Sequence, residues 1–125
     1  MKILALDFGA ARTGVAVSDP TGTLARPLCV LEKAATEAGL DSLVEVIEEE
    51  APALVVVGMP LTLRGEHGEQ ARTTAAFVDA LKERIPIPVE TFDERFTSVL
   101  ADGDDAKAAA HLLSSYLAWK SNGRR

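Results

Sequence analysis

Carboxylates stand at points of the sequence where apolar patterns stop. Asp7 ends the first apolar segment, Asp93 and Glu94 end the last predicted strand, and Asp104 and Asp105 precede the last predicted helix. Hard divalent cations such as Mg²⁺ need oxygen ligands, so two or three carboxylates and a substrate phosphate make a sufficient site. Two such ions could hold the attacking water and the departing oxygen of a phosphodiester. Convergence of these acids would therefore predict a hydrolytic metal site.

Each acid also has a structural interpretation. Asp7 could only cap a turn, but an aspartate that ends a buried strand is costly to desolvate, which favours a functional role. Asp93 and Glu94 could pair with Arg95 as ordinary strand-end charges. The acids at 104 and 105 are natural helix N-caps. The hypothesis of a metal site therefore depends on several acids meeting, and not on any one of them.

Hydrophobic patterning predicts the elements that position these acids. Alternating apolar residues indicate strands, spacing of three and four indicates helices, and turn residues separate them. A continuous apolar run is typical of a central strand that is covered on both faces. The predicted order is β-β-β-α-β-α-β-α: strands in Lys2–Asp7, Val15–Ser18 and Leu24–Leu31, a helix over Leu40–Ile47, a central strand Ala53–Gly58, a helix over Ala71–Leu81, a strand Ile87–Phe92 and a helix over Ala109–Leu117.

Length and composition predict one α/β domain over residues 1–125. The chain is 47% hydrophobic but only 5% aromatic, so an aliphatic core between helices and a sheet is expected. Neither a signal peptide nor an apolar run of membrane-spanning length is found, which predicts a cytoplasmic protein without a membrane partner. The net charge of −6 argues against broad electrostatic capture of phosphates, so any nucleic acid must be bound locally.

Other polar residues give weaker signals. His67 and His111 lack a second metal ligand at suitable spacing, and neither is assigned a catalytic role. The segment from Gly58 to Gly68 follows a strand and precedes a helix, where backbone N–H groups could receive a phosphate. A plain structural loop explains that composition equally well.

The sequence resembles the YqgF/RuvX family at motifs that occur in the same order along most of the chain. The opening motif is Leu6-Asp7-Phe8-Gly9 with Arg12 and Gly14 to Asp19; the central motif is Val57-Gly58-Met59-Pro60-Leu61; the late acidic motif is Asp93-Glu94-Arg95-Phe96-Thr97-Ser98; and the final helix has Asp105, Ala108-Ala109 and Leu112-Leu113. The resemblance implies a ribonuclease H-like fold, with a mixed five-stranded sheet flanked by helices.

The resemblance also implies site residues. Asp7, Glu94 and Asp105 match the catalytic, metal-binding carboxylates, with Asp93 as a further ligand or support, and the expected cofactor is Mg²⁺ or Mn²⁺. Three arginines are expected to contact nucleic acid: Arg12, Arg64 and Arg95. One departure concerns the stretch before the final aspartate, which is longer and basic in the family. Here Ser98–Asp104 is short and acidic, which weakens the expectation of tight substrate binding.

The hypothesis for function is a metal-dependent endonuclease for structured nucleic acid, with maturation of the 5′ end of precursor 16S ribosomal RNA as the first choice. Ribosomal precursor particles are then potential partners. One alternative is a Holliday-junction resolvase, which would need a dimer to cut two strands symmetrically. Another is a ribosome-assembly factor that binds without cutting. Asp7-Phe8-Gly9 and Thr13-Gly14 also resemble the phosphate loop of actin-like sugar kinases, but those enzymes need two related domains.

Overall fold

A computed structural model describes residues 1–60, 68–94 and 105–122. The described residues form eight elements in the predicted order. The strands are β1 (Ile3–Asp7), β2 (Arg12–Ser18), β3 (Ala25–Glu32), β4 (Leu54–Met59) and β5 (Val89–Asp93), and the helices are α1 (Glu37–Glu50), α2 (Glu69–Lys82) and α3 (Asp105–Ser121). Because the predicted strands and helices recur in that order, the α/β class is confirmed.

The strands of the described residues form one mixed sheet in the order β3-β2-β1-β4-β5. β1 pairs antiparallel with β2, which pairs antiparallel with β3. β1, β4 and β5 run parallel to one another. The carboxyl ends of these three parallel strands therefore meet at one edge of the sheet.

Successive side chains of a strand point to opposite faces of the sheet, and the buried ones form two hydrophobic cores, one on each face. Leu4, Leu6 and Val57 pack in the core that includes residues of α1 and α2, such as Leu43 and Phe77. Ile3, Ala5, Leu54 and Val56 pack in the core that includes Leu112, Leu113 and Tyr116 of α3. Every residue of β4 is buried, which confirms the prediction of a central strand covered on both faces. Asp7 and Gly58 continue the alternation that faces α3.

The helices start and stop at residues with a local physical reason. The Thr36 hydroxyl accepts a hydrogen bond from the Gly39 backbone N–H at 3.1 Å, which caps α1. Ala51 ends that helix in the left-handed region, with φ of 49°, directly before Pro52. Within the described ranges, no helix combines the length and the apolar character that a membrane span requires.

Candidate active site

The predicted carboxylates lie at the sheet edge where the parallel strands end. Asp7 is the last residue of β1, Asp93 is the last residue of β5, and Glu94 follows it directly. Asp105 is the first residue of α3, where a negative charge also interacts favourably with the helix dipole. The chain thus brings together three carboxylates on the α3 side of one edge: Asp7, Glu94 and Asp105. The first and the last of them are 98 positions apart in the sequence.

Gly58 makes room for Glu94. It precedes the last residue of β4 and pairs with Phe92 of β5. A Cβ atom at position 58 would lie 2.7 Å from Glu94 Oε2 and 3.0 Å from Leu112 Cδ2. Real Cβ atoms do not approach other atoms so closely, so a side chain at this position would displace the carboxylate. Glycine here lets Glu94 fold back over the end of β4.

Gly14 lets the start of α3 approach the sheet. It pairs with Asp7 in the antiparallel register, and paired residues project from the same face. A Cβ atom at position 14 would lie 1.8 Å from the Asp105 carbonyl oxygen. The absence of a side chain therefore brings the first turn of α3 directly over the Asp7 end of β1.

Electrostatic repulsion connects the three carboxylates. Burial and the nearby charge of Asp105 raise the pKa of Asp7. Burial, then the charges of Asp7 and Asp93, raises the pKa of Glu94 to about 7. All these causes act in the same direction, because each disfavours the negative form. The edge thus carries negative charge that a bound cation would stabilise.

Arg12 pairs with one of these carboxylates. Its Nε donates to Asp105 Oδ2 at 2.9 Å, a contact that links residues 93 positions apart. The Arg12 side chain remains 62% exposed, so the pair faces solvent. The guanidinium lies at the same edge as the carboxylates, where the sequence predicted a phosphate contact, but its partner in this structure is a protein oxygen.

The carboxylates at this edge can be compared with what a divalent metal ion requires, first in ligand type and then in arrangement. Carboxylate oxygens are the ligands that Mg²⁺ and Mn²⁺ prefer, so the chemistry of Asp7, Glu94 and Asp105 fits either ion. Among the described residues, however, no three Asp, Glu, His or Cys side chains are arranged as a ready metal site. The carboxylates at this edge therefore fit a divalent cation in ligand type.

Several predicted positions lie outside the described residues. These are Arg64, Arg95, His67, Thr97, Asp104 and the short acidic connection before Asp105. His111 is exposed on α3. The steric roles of Gly14 and Gly58 were not predicted from the sequence. The signal was present, because glycine in the interior of a strand often marks close approach of another backbone or side chain.

Comparison with known proteins supplies the family. A family model described as "RuvX: Holliday junction resolvase" matches residues 1–118. The chain belongs to the RuvX family. A Desulforudis audaxviator protein named "Putative pre-16S rRNA nuclease" is 37% identical over 139 residues, covering 99% of each chain. That span exceeds the 125 residues here, so this RuvX relative has residues that the present chain lacks.

Other similarities support the same placement. A Chloroflexus aurantiacus protein with the same name is 45% identical over 100 residues; the match covers 80% of this chain but only 65% of that relative. The solved structure of T. thermophilus RuvC in complex with a Holliday junction substrate has a TM-score of 0.66 and 14% identity, covering 98% of this chain and 97% of that one. At that identity the likeness shows the fold alone, and it confirms the ribonuclease H-like prediction.

Proposed function

We propose that this RuvX chain is a metal-dependent endonuclease for structured nucleic acid, with precursor 16S ribosomal RNA as its substrate. The observation that carries the proposal is that Asp7, Glu94 and the start of α3 at Asp105 meet at one sheet edge, where Gly14 and Gly58 leave room for the Asp105 backbone and the Glu94 carboxylate. The charge of Asp105 raises the pKa of Asp7, and the charge of Asp7 raises the pKa of Glu94, so a cation at this edge would stabilise both anions. The names of the relatives supply the substrate class, and nucleic acid is the corresponding partner.

Asp7, Glu94 and Asp105 would hold Mg²⁺ or Mn²⁺, and Asp93 is the further ligand or the support of Glu94. When bound, the metal supplies a more acidic water and stabilises negative charge on the departing oxygen. Asp7 would be held rigidly, since it ends a strand that is hydrogen-bonded on both sides. Glu94 follows a strand end and Asp105 begins a helix, so both can adjust towards Asp7 with smaller changes of the sheet.

Arg12 would exchange partners when the site is loaded. In the structure its guanidinium neutralises Asp105. With Asp105 held as a metal ligand, the Arg12 guanidinium would be a planar donor able to pair with the reacting phosphate instead. This exchange reconciles the observed ion pair with the predicted role of Arg12 in binding phosphate. Arg64 and Arg95 stay predicted members of the same nucleic-acid surface.

The reaction is hydrolysis of a phosphodiester. A water oxygen attacks phosphorus and loses a proton, the bond from phosphorus to the departing oxygen breaks, and that oxygen gains a proton, so the net change is addition of one water. The expected cytoplasmic location is part of the proposal, because the precursor RNA would be encountered there.

The test is incubation of the purified chain with precursor 16S RNA and with four-way DNA junctions, each with Mg²⁺, Mn²⁺ or a chelator. Cleavage of the RNA that requires metal and is lost in Asp7→Asn supports the proposal. Preferential cleavage of the junction would favour the second candidate, a resolvase, which the description of the family model supports. RNA binding without cleavage under every metal condition would instead indicate a non-catalytic assembly factor.

A further inference from the structure

A cavity lies at the same sheet edge as Asp7 but on the opposite face. Its volume is about 370 Å³, within the range of small-ligand sites. One side consists of Phe8, Gly9 and Ala10, which follow β1 directly, and the other consists of α2 residues that include Glu69, Gln70 and Thr73. Because Asp7 and Phe8 are consecutive, the cavity and the carboxylates are separated only by the end of β1.

The aromatic side of the cavity is held in one orientation. The Phe8 ring stacks on Phe77, with ring centroids 4.3 Å apart and an angle of 18° between the planes. Phe77 is only 3% exposed and belongs to the core between the sheet and α2. Phe8 itself is half-buried, so part of its ring surface is available to the cavity. A preorganised ring of this kind can bind a flat ligand with little loss of side-chain entropy.

The polar groups of the cavity suit the edge of a base better than a phosphate. The Thr73 and Thr74 hydroxyls donate to helix carbonyl oxygens of Glu69 and Gln70, at 3.1 and 2.9 Å. Glu69 and Gln70 are exposed and line the cavity. The Glu69 carboxylate would repel a phosphate, but it can accept hydrogen bonds from the N–H groups of a base. The Gln70 amide can both donate and accept.

We propose that this cavity binds one unpaired nucleobase of the substrate, with Phe8 as its stacking partner. The inference rests on the proposed nuclease function and extends it. A strand that crosses the sheet edge would place its phosphates beside Asp7 and Glu94 and turn one base into the cavity on the α2 side. A base in continuous duplex is stacked and paired on both sides, so the cavity selects a nucleotide in a single-stranded stretch, bulge or junction.

The test compares binding of two short single-stranded RNAs of equal length, one of them with a central run of abasic residues, by fluorescence anisotropy in chelator. The wild-type chain should bind the base-containing RNA about tenfold more tightly, as expected for loss of a stacked base. Phe8→Leu should lose this preference, and Phe8→Tyr should keep it. Thr73→Phe, which fills the cavity from an exposed helix position, should lose it while leaving the Phe8–Phe77 stack in place.

Trp119→Leu is the matched control, because it removes an aromatic ring from the cluster with Phe92 and Tyr116 on the other face of the sheet. It should keep the preference for bases. Thermal melting identifies any variant that fails to fold. Equal binding of the two RNAs by the wild-type chain, or a preference that persists in folded Phe8→Leu and Thr73→Phe, would overturn the inference.

The outcome for the base site is separate from that for the nuclease. Asp7→Asn should keep the preference for bases even though it loses cleavage. A Phe8-dependent preference without any cleavage would retain the base site and reject the proposed nuclease. Cleavage that depends on Asp7, without a preference for bases, would retain the nuclease and reject the base site.

Discussion

Asp7 and Asp19 are both aspartates at the ends of neighbouring strands, yet their surroundings are opposite. The Asp19 carboxylate accepts hydrogen bonds from the backbone N–H groups of Thr23 and Leu24 at 2.8 and 2.9 Å, and from the Thr21 hydroxyl. These bonds hold the pKa of Asp19 well below its usual range. Burial and a neighbouring carboxylate instead raise the pKa of Asp7.

The difference distinguishes a structural carboxylate from a candidate functional one. Asp19 stabilises its turn as an anion, because its charge is matched by donors from the same loop. Asp7 lies near another acid, so its negative charge is energetically unfavourable unless a cation is bound. Asp7 ends an apolar strand and Asp19 follows one, so the sequence pattern does not distinguish them. Their roles differ because the fold places hydrogen-bond donors around Asp19 and another acid near Asp7.

The largest expected effect concerns cleavage. Asp7→Asn is nearly isosteric but removes a proposed ligand, so metal-dependent cleavage should fall by more than about 100-fold, beyond the loss seen when an outer-shell partner is altered. Asp19→Asn is the matched control and should retain cleavage. Rates of precursor RNA cleavage at saturating Mg²⁺ measure both. A fully active Asp7→Asn preparation would remove Asp7 from the site.

The adjacent acids Asp104 and Asp105 test whether the ligand can be distinguished from a helix cap. Asp105→Asn should reduce cleavage at least about tenfold more than Asp104→Asn, since Asp105 begins α3 beside Asp7 whereas Asp104 fits a capping role. Both variants are assayed on the same RNA. Loss of cleavage in Asp104→Asn alone would shift the assignment of the helical ligand by one residue.

Glycines near the two aspartates should also differ. Gly14→Ala should cost about 1–3 kcal/mol in the free energy of unfolding and reduce cleavage, because its Cβ would collide with the Asp105 backbone. Gly22, at φ of 73° in the Asp19 turn, should cost about 1–2 kcal/mol when changed to Ala through backbone strain. Its cleavage should be unchanged. Denaturant unfolding and RNA cleavage measure the two effects, and equal losses of activity would contradict the comparison.

The smallest expected effects are changes in melting temperature measured in chelator, and they have opposite signs for substitutions of Glu94 and Asp19. The folded pKa of Glu94 is raised from 4.5 to about 7, so its charge costs stability as pH rises through this window. Glu94→Gln should therefore raise the melting temperature above pH 7 and have little effect below pH 4.5. The folded pKa of Asp19 is depressed below 3.8, so its contribution is present above that pH and lost on further acidification.

Asp19→Asn should accordingly lower the melting temperature at neutral pH, and its difference from wild type should shrink in acid. Thermal melting of both variants from pH 3 to pH 8, in chelator, gives the two profiles. Shifts of the same sign at neutral pH would show that the two carboxylates are not in contrasting surroundings.

The sequence was sufficient to predict what depends on local pattern. Alternation predicted the strands that end at Asp7 and Asp93, and the continuous apolar run predicted β4 as a central strand. The convergence of the acids was a hypothesis drawn from their positions at strand ends and at the start of the last helix. These predictions needed no knowledge of which distant side chains touch.

Contacts between distant residues were not predictable in the same way. The Arg12–Asp105 pair joins residues 93 positions apart. The roles of Gly14 and Gly58 depend on how closely α3 and Glu94 approach the sheet. Such distances are set by packing of whole elements, which hydrophobic period does not encode. The burial that raises the pKa of Asp7 and Glu94 likewise arises only when those elements assemble.

Calorimetric titration of the purified chain with Mg²⁺ or Mn²⁺, without nucleic acid, measures whether these carboxylates bind a cation. The wild-type chain and Asp19→Asn should bind the ion, and binding should be weakened by at least about tenfold in Asp7→Asn, Glu94→Gln and Asp105→Asn. If these three variants bind the ion as tightly as the wild-type chain does, the carboxylates at this sheet edge are not its ligands.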